Sequence, residues 1–432
     1  MMTAVALCAL GAEKALSNEL KKLDLQVLDA GFGRARFVAD LGGLYRALMG
    51  LRTADRILLE AASFPASDFD ALFEGVRSVR WEELIPRGFK VVVEKVRTNR
   101  SSLHAETSVQ AVVHKASAER LCEAWGVRRL DEYGEEACLR VYLEKDIASI
   151  LLDLTGEPLF HRGYRTEGGA APLRETSAAA ILLLLGWKRK FPLYDPFCGS
   201  GTFATEAALY AWDAAPGLGR TFRLSDLLGG DAEVEAEVRA DLAARVDFSR
   251  TIRIQGSDVD PRAVSIARSN AERAFDLARG AQIARGAQGA RGAQGARGAQ
   301  GARGAEGGRG IRLPPGGSAP PSPDRSGIPT FSVLDMKKAK AGWDEGFLFA
   351  NPPYGERLGD TVEAERIYRE MPALLENFPG WNLAVVTNHP GFESHFGRTA
   401  DSVREITNGA LRSFLYAFGP SKRGNDVDRR RT

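Results

Sequence analysis

Phe347-Leu348-Phe349-Ala350-Asn351-Pro352-Pro353-Tyr354-Gly355 is an apolar run that stops at a side-chain amide and two prolines. Neither proline can donate to a sheet ladder, and each holds φ near −65°. A strand over Phe347-Leu348-Phe349 must therefore end here, with the backbone after Asn351 held stiffly at its carboxyl end. Open α/β sheets bind ligands at that edge. The tetrapeptide from Asn351 to Tyr354 suits group transfer to a planar nitrogen. An aromatic amine delocalises its lone pair into its ring. The Asn351 side-chain oxygen and the Pro352 carbonyl form an acceptor pair able to hold both amine hydrogens and help localise that lone pair, while Tyr354 stacks on the base. Acceptors placed before reaction need no reorganisation during it. Taken alone, a turn that merely ends a strand is the plainer interpretation.

Upstream lies Pro192-Leu193-Tyr194-Asp195-Pro196-Phe197-Cys198-Gly199-Ser200-Gly201-Thr202-Phe203, a strand ending in an acid, a two-glycine turn and the start of a helix over Ala204 to Ala211. Glycines let backbone approach a ligand closely, and amides at a helix start attract a carboxylate. Gly-x-Gly would serve a nucleotide equally well, but no Gly-Lys-Ser/Thr follows to hold a triphosphate. A strand from Ile252 to Asp258 ends in a second acid, placed for a ribose hydroxyl pair. Asp260-Pro261 then opens a helix over Arg262 to Ala274. Asp335, after Phe331-Ser332-Val333-Leu334, is a third such acid, suited to an adenine amino group. Three acids and Asn351 at four successive strand ends make a rim, which independent helix capping explains poorly.

The chain has 432 residues, 44% apolar and 26% charged, a globular composition long enough for two or three domains. No basic region precedes the first apolar run, and the longest apolar stretch, Ala178 to Trp187, falls well short of a membrane span, so a cytoplasmic protein is expected. Cys8, Cys122, Cys138 and Cys198 form no Cys-x-x-Cys pair and the five histidines show no ligand spacing, which predicts reduced thiols and no metal. A formal charge of +2 does not announce nucleic acid, so any such binding must come from local clusters.

Residues 2–63 pattern as a small α/β unit, with strands at Val5-Ala6-Leu7-Cys8 and Gly31 to Val38 and helices over Gly11 to Leu23 and Leu41 to Met49. Residues 64–155 form a second unit. Its elements are a helix over Phe69 to Ser78, a strand over Lys90 to Glu94, a helix over Ser108 to Trp125 with Ser108 as N-cap, and a strand over Cys138 to Leu143. Arg97 and Arg100 fall on the loop before the long helix and Lys115 on that helix; basic residues among hydroxyls suit phosphate contacts, a solvated surface being the alternative. Phe160-His161-Arg162-Gly163-Tyr164-Arg165 is a basic, aromatic connector whose Arg162 and Arg165 join that set.

From Arg279 to Arg309 an arginine recurs every six residues in Arg-Gly-Ala-Gln-Gly-Ala units, and proline-rich runs follow. Such a segment lacks the apolar area to offset ordering entropy, which predicts a disordered insertion over 278–328. Beyond it come a helix over Ala364 to Leu375, a strand over Trp381 to Thr387, and a hairpin joined through Asn408-Gly409. A hairpin cannot be parallel, so one antiparallel strand is expected at this sheet edge. The charged tail, 421–432, is expected to be disordered.

His161-Arg162-Gly163-Tyr164-Arg165, Pro172-Leu173-Arg174-Glu175-Thr176, Asp195 to Thr202, Gly256-Ser257-Asp258 and Asn351 to Leu358 occur in an order that resembles the THUMP-containing ribosomal RNA guanine-N2 methyltransferases. The likeness spans residues 2 to about 420. It implies a fold of the α/β class: a Rossmann-like class I methyltransferase over 156–420, mostly parallel with one antiparallel edge strand, preceded by α+β ferredoxin-like (2–63) and THUMP (64–155) modules. It implies methyl transfer from S-adenosyl-L-methionine to the exocyclic N2 of a guanine in 23S ribosomal RNA. Carried over by position, Asp195, Phe197, Cys198, Gly199, Gly201, Thr202, Asp258 and Asp335 would hold the cofactor, and Asn351, Pro352, Pro353 and Tyr354 the target base. RNA contacts would come from Arg97, Arg100, Lys115, Arg162 and Arg165. The arginine-glycine insertion is not a family feature, and the second methyltransferase domain fused in some relatives is not seen here. Transfer RNA enzymes of the THUMP group, adenine DNA methyltransferases and glutamine-modifying methyltransferases share parts of this pattern. A non-catalytic RNA-binding assembly factor is the alternative of a different class, and the complete Asn351 tetrad argues against it.

Overall fold

The computed structural model describes residues 1–131, 133–165, 173–295, 327–354, 360–409 and 411–420. In the N-terminal half, β1 (Met2–Cys8), α1 (Glu13–Lys22), β2 (Gln26–Gly31), β3 (Arg34–Ala39) and α2 (Leu41–Gly50) lead into β4 (Ala54–Pro65). There follow α3 (Phe69–Arg77), α4 (Trp81–Leu84), β5 (Lys90–Asn99), α5 (Glu106–Trp125), β6 (Glu136–Glu144) and β7 (Ile147–Asp153). These strands form one sheet in the order β2-β3-β1-β4-β7-β6-β5. The expected division at 63/64 falls inside β4, which pairs with β1 through Ala54–Leu59 and with β7 through Leu58–Pro65. The two N-terminal units are thus joined by a shared ladder instead of a linker.

Local chemistry sets the helix boundaries. Asp40 and Asp68 cap α2 and α3 by accepting from Gly43 N at 2.7 Å and Ala71 N at 2.8 Å. Ser108 does not cap α5, which starts at Glu106, and Gly126 at φ +65 ends that helix. β5 outruns its expected end and carries Arg97 on the strand, where it is aligned with Tyr142 of β6.

The C-terminal half comprises α6 (Glu175–Leu184), β8 (Leu193–Asp195), α7 (Thr202–Ala211), α8 (Ala232–Ala244), β9 (Ile254–Asp258), α9 (Pro261–Gly295), β10 (Thr330–Val333) and β11 (Phe347–Ala350). It closes with α10 (Asp360–Glu370), α11 (Pro372–Asn377), β12 (Asn382–Thr387), α12 (Phe392–Phe396), β13 (Ser402–Asn408) and β14 (Leu411–Phe418). The second sheet runs β10-β9-β8-β11-β12-β14-β13. Its first five strands are mutually parallel, and β14 is antiparallel to both neighbours. The antiparallel strand expected from the hairpin is present, one place in from the edge that β13 occupies.

Three expectations are corrected. The helix expected to end at Ala274, with disorder from 278, continues to Gly295. Val264, Ala267, Ala271, Ala274, Phe275 and Ala278 make one buried stripe, and Gln282 Nε2 donates to Val246 O at 3.0 Å, so packing extends past the expected boundary. The rest of the insertion, 296–326, and the tail from 421 lie outside the described residues. The helix expected over Ala364 to Leu375 is two, broken at Met371 where Pro372 opens α11. α8, capped by Asp231, was not anticipated and lies against α2 and α9, tying the two halves together. Among the described residues no helix is long and apolar enough to cross a membrane.

Candidate active site

The carboxyl ends of β10, β9, β8 and β11 are adjacent, in that order. Val333 aligns with Asp258, Asp195 with Gly256 and Leu348 with Tyr194. Neighbouring strands lie about 4.8 Å apart, so Asp335, Asp258, Asp195 and Asn351 stand side by side along one edge. The rim expected from four separate strand ends is a single feature. Beneath it the Phe203 ring stacks on Phe349, 3.4 Å between centroids and 10° from parallel, which fixes the start of α7 against the strand bearing Asn351.

Asp195 is 2% exposed, and its Oδ1 accepts from Phe197 N at 3.1 Å. Burial pushes this carboxyl up to about 8; the Phe197 amide opposes the shift and the Asp258 charge adds to it. Asp258 clamps the glycine turn, its Oδ2 accepting from Gly199 N at 3.0 Å and its Oδ1 from Asp260 N at 3.0 Å. Asp335 closes its own turn, Oδ1 accepting from Lys337 N at 2.9 Å. The two glycines serve different ends. At Gly199, φ +50, an added Cβ would project into open space; at Gly201, φ +77, it would stand 2.8 Å from the Ala267 Cβ. Gly201 lets α7 pack on α9, and Gly199 leaves backbone bare at the rim. Asn270 on α9, not recognised from the sequence, donates to Ser200 O at 2.8 Å and steadies the turn. Burial raises the Cys198 thiol far above its ordinary range, which makes it packing instead of a nucleophile. Bare backbone beside Gly199 and carboxyl groups on successive strand ends fit a ligand carrying an ammonium, a ribose and a base amine.

At Asn351 the side chain is half-buried, Pro352 is buried and Pro353 exposed. The Tyr354 hydroxyl donates to Asn351 Oδ1. The Pro353 carbonyl accepts from Tyr368 OH on α10 at 2.9 Å, a contact that no local pattern announces. Gly355 to Gly359 lie outside the described residues.

Of the expected RNA-contacting cations, three are at the surface. The Arg97 side chain is 59% exposed and 3.3 Å from Glu106, that of Lys115 is 69% exposed and 3.8 Å from Glu119, and Arg100 is exposed at φ +49 just after β5. The other two are corrected. Arg162 is buried, with its guanidinium engaged by Leu159 O at 3.0 Å, Arg52 O at 2.5 Å and Glu206 Oε1 at 3.5 Å. Arg165 donates to Leu173 O at 2.8 Å and Thr202 Oγ1 at 2.7 Å and lies 3.1 Å from Glu175. Both are spent inside the protein, because carboxylates remote in sequence are folded onto the connector. The histidines also depart from expectation: His389 and His395 meet Glu365, ligand-type atoms all within 4.8 Å, a grouping that only the fold creates.

Residues 162–279 and 326–416 match the UPF0020 family, an RMKL-like methyltransferase domain, and residues 3–58 match the RlmL ferredoxin-like domain. The Bacillus subtilis (strain 168) protein named "Putative RNA methyltransferase YpsC" is 31% identical over 422 residues, 96% of this chain and 95% of that protein. "Ribosomal RNA large subunit methyltransferase K/L" of Syntrophotalea carbinolica is 32% identical over 421 residues, 94% of this chain but 52% of that protein, so the chain spans about half of this relative. Among solved structures, SMU.472 complexed with SAH matches at a TM-score of 0.79 and 32% identity, covering 98% of this chain and 99% of that one. A possible methylase from Clostridium difficile 630 matches at 0.81 and 30%, covering 98% and 99%. The rim of acids, the glycine turn and these likenesses agree: the chain belongs to the family that joins an RlmL ferredoxin-like domain to an RMKL-like, class I methyltransferase domain using S-adenosyl-L-methionine.

Proposed function

We propose that this enzyme methylates the exocyclic N2 amine of a guanine in 23S ribosomal RNA, in the cytoplasm. The observation that carries this reading is the position of Asn351, whose strand lies next to the one ending in Asp195 on the cofactor rim. S-adenosyl-L-methionine held there would supply a sulfonium methyl to the amine nitrogen, and the methylated, cationic amine would then give up one proton to solvent. Asn351 and Pro352 accept the amine hydrogens and turn the nitrogen lone pair toward the methyl. Before the base arrives Tyr354 OH occupies Asn351 Oδ1. The incoming amine takes that acceptor over, leaving the Tyr354 ring to stack on a base extruded from its helix. Asp195, Phe197, Cys198, Gly199, Gly201, Thr202, Asp258 and Asp335 hold the cofactor.

Residues 64–155 act as a THUMP module that grips folded RNA, with Arg97, Arg100 and Lys115 on phosphates. The ion pairs of Arg97 and Lys115 are exposed and weak, so they can be exchanged for phosphate contacts. The relatives' names, RNA and large-subunit ribosomal RNA methyltransferases, support RNA as the substrate class. The test offers labelled methyl donor to unmodified 23S RNA, transfer RNA and DNA and identifies the methylated nucleoside by mass spectrometry. N2-methylguanosine in 23S RNA is expected; product confined to transfer RNA or to DNA adenine overturns the assignment. Asn351→Ala should lower turnover about 100- to 1,000-fold while cofactor affinity changes little. Equal loss of both would refute the role given to Asn351.

A further inference from the structure

We infer that Tyr368 is a positioning residue of the methyl-transfer site, the last member of a one-way hydrogen-bond relay that fixes the Pro353 carbonyl; the inference rests on the reading of Asn351–Tyr354 as the base site. The direction follows from donor arithmetic. Pro353 O can only accept, so the single Tyr368 hydroxyl proton points to it, at 2.9 Å. The contact of 3.0 Å between Tyr368 OH and Thr387 Oγ1 must then be a donation from Thr387. Thr387 Oγ1 in turn accepts from His389 N at 3.1 Å. Tyr368 and Thr387 are both 0% exposed, so their hydroxyls are held by protein partners inside the fold. Pro352 and Pro353 have no N–H, so the sheet ladder cannot tie down the backbone that carries the base-binding groups, and the relay supplies the missing attachment.

The grouping of Glu365, His389 and His395 anchors the helix that carries Tyr368, and its polarity opposes a metal. Gly391 N donates to His389 Nδ1 at 3.1 Å, and Arg369 Nη2 to His395 Nδ1 at 3.2 Å. Each ring therefore carries its proton on Nε2, facing Glu365 Oε1 at 3.6 Å and 3.4 Å. An ion there would need Nε2 lone pairs, with Nδ1 protons aimed at N–H donors, the reverse of the usual outer shell of a metal-bound histidine. The Tyr368 ring meets the edges of His389 and Phe392, at 5.6 Å and 5.1 Å, which sets the hydroxyl's direction.

Tyr368→Phe keeps the ring and deletes the last link. Single-turnover methylation of unmodified 23S RNA should fall about 10- to 100-fold, the loss expected when reacting groups shift by an ångström or less. The S-adenosylhomocysteine Kd should stay within about twofold, since the change lies outside the cofactor rim, and amide exchange at Asn351 and Tyr354 should quicken. Thr387→Val should show a smaller loss that Thr387→Ser restores, a comparison that also serves if Tyr368→Phe folds poorly. Wild-type rate and unchanged exchange in Tyr368→Phe would overturn the relay. If the wild-type enzyme methylates no RNA, the substrate reading falls, and the exchange arm still decides: quickening supports the relay and no change refutes it.

Discussion

Replacing Arg162 by Met separates a structural cation from an RNA-binding one. Side chains of Arg162 and Glu206 are 3% and 0% exposed, and the guanidinium serves two backbone carbonyls, Leu159 and Arg52, as well as the carboxylate. Arg52 lies in the N-terminal half, so the bond crosses between the two halves. Among the described residues, Glu206 Oε1 keeps only the Tyr164 hydroxyl, at 3.0 Å, once Arg162 is gone, and Oε2 has no protein partner already. Removing one partner of a buried pair costs about 3–5 kcal/mol, because an uncompensated charge remains. Arg162→Met should therefore lower stability by about 4 kcal/mol. By contrast Arg97→Ala, at a pair 59% and 44% exposed, should cost under about 1 kcal/mol. Adding Glu206→Gln to Arg162→Met should recover part of the loss by removing the stranded charge. Urea denaturation midpoints and filter-bound RNA on the same samples provide the measurement. Arg162→Met with an unchanged midpoint and weakened RNA binding would refute the structural role and restore the connector to the RNA surface.

Other expectations concern the rim. The Asp195 carboxyl is raised from 3.8 to about 8, so between those values the folded chain holds a proton the unfolded chain has lost. Its contribution to apo stability is complete below pH 3.8 and fades as pH climbs through about 8. Affinity for a cationic methyl donor should rise over the same interval and level off above it; calorimetric titrations between pH 6 and 9 that show no slope would contradict the burial of this group. Asp195→Asn should flatten that profile. Gly201→Ala, strained at φ +77 and crowded against Ala267, should destabilise by about 1–3 kcal/mol. Gly199→Ala, facing open space, should cost about 1 kcal/mol of stability yet weaken cofactor binding by more than Gly201→Ala does per folded molecule, as read by melting and titration together.

Much of the site was legible in the chain because its devices are local. A proline pair ends β11 wherever it falls, an acid before a glycine turn ends β8, and Gly409, at φ +65 just after the paired Asn408, turns the last hairpin, each through backbone rules acting over a few residues. Burial was not legible in the same way. Arg162 and Arg165 read as exposed because their immediate neighbours are basic and aromatic, and the carboxylates that claim them, Glu206 and Glu175, arrive through packing. The 63/64 division falls inside a strand because β4 is long enough to pair on both flanks, and the 278 boundary failed because Ala281 and Gln282 still pack, on the core and on Val246 O, after the composition has changed. By itself the sequence determined where strands stop and which groups stand at their ends. The tertiary structure decided that β10, β9, β8 and β11 are neighbours, which cations face inward, and that Tyr368 reaches Pro353, since strand order and side-chain burial depend on contacts between residues far apart in the chain.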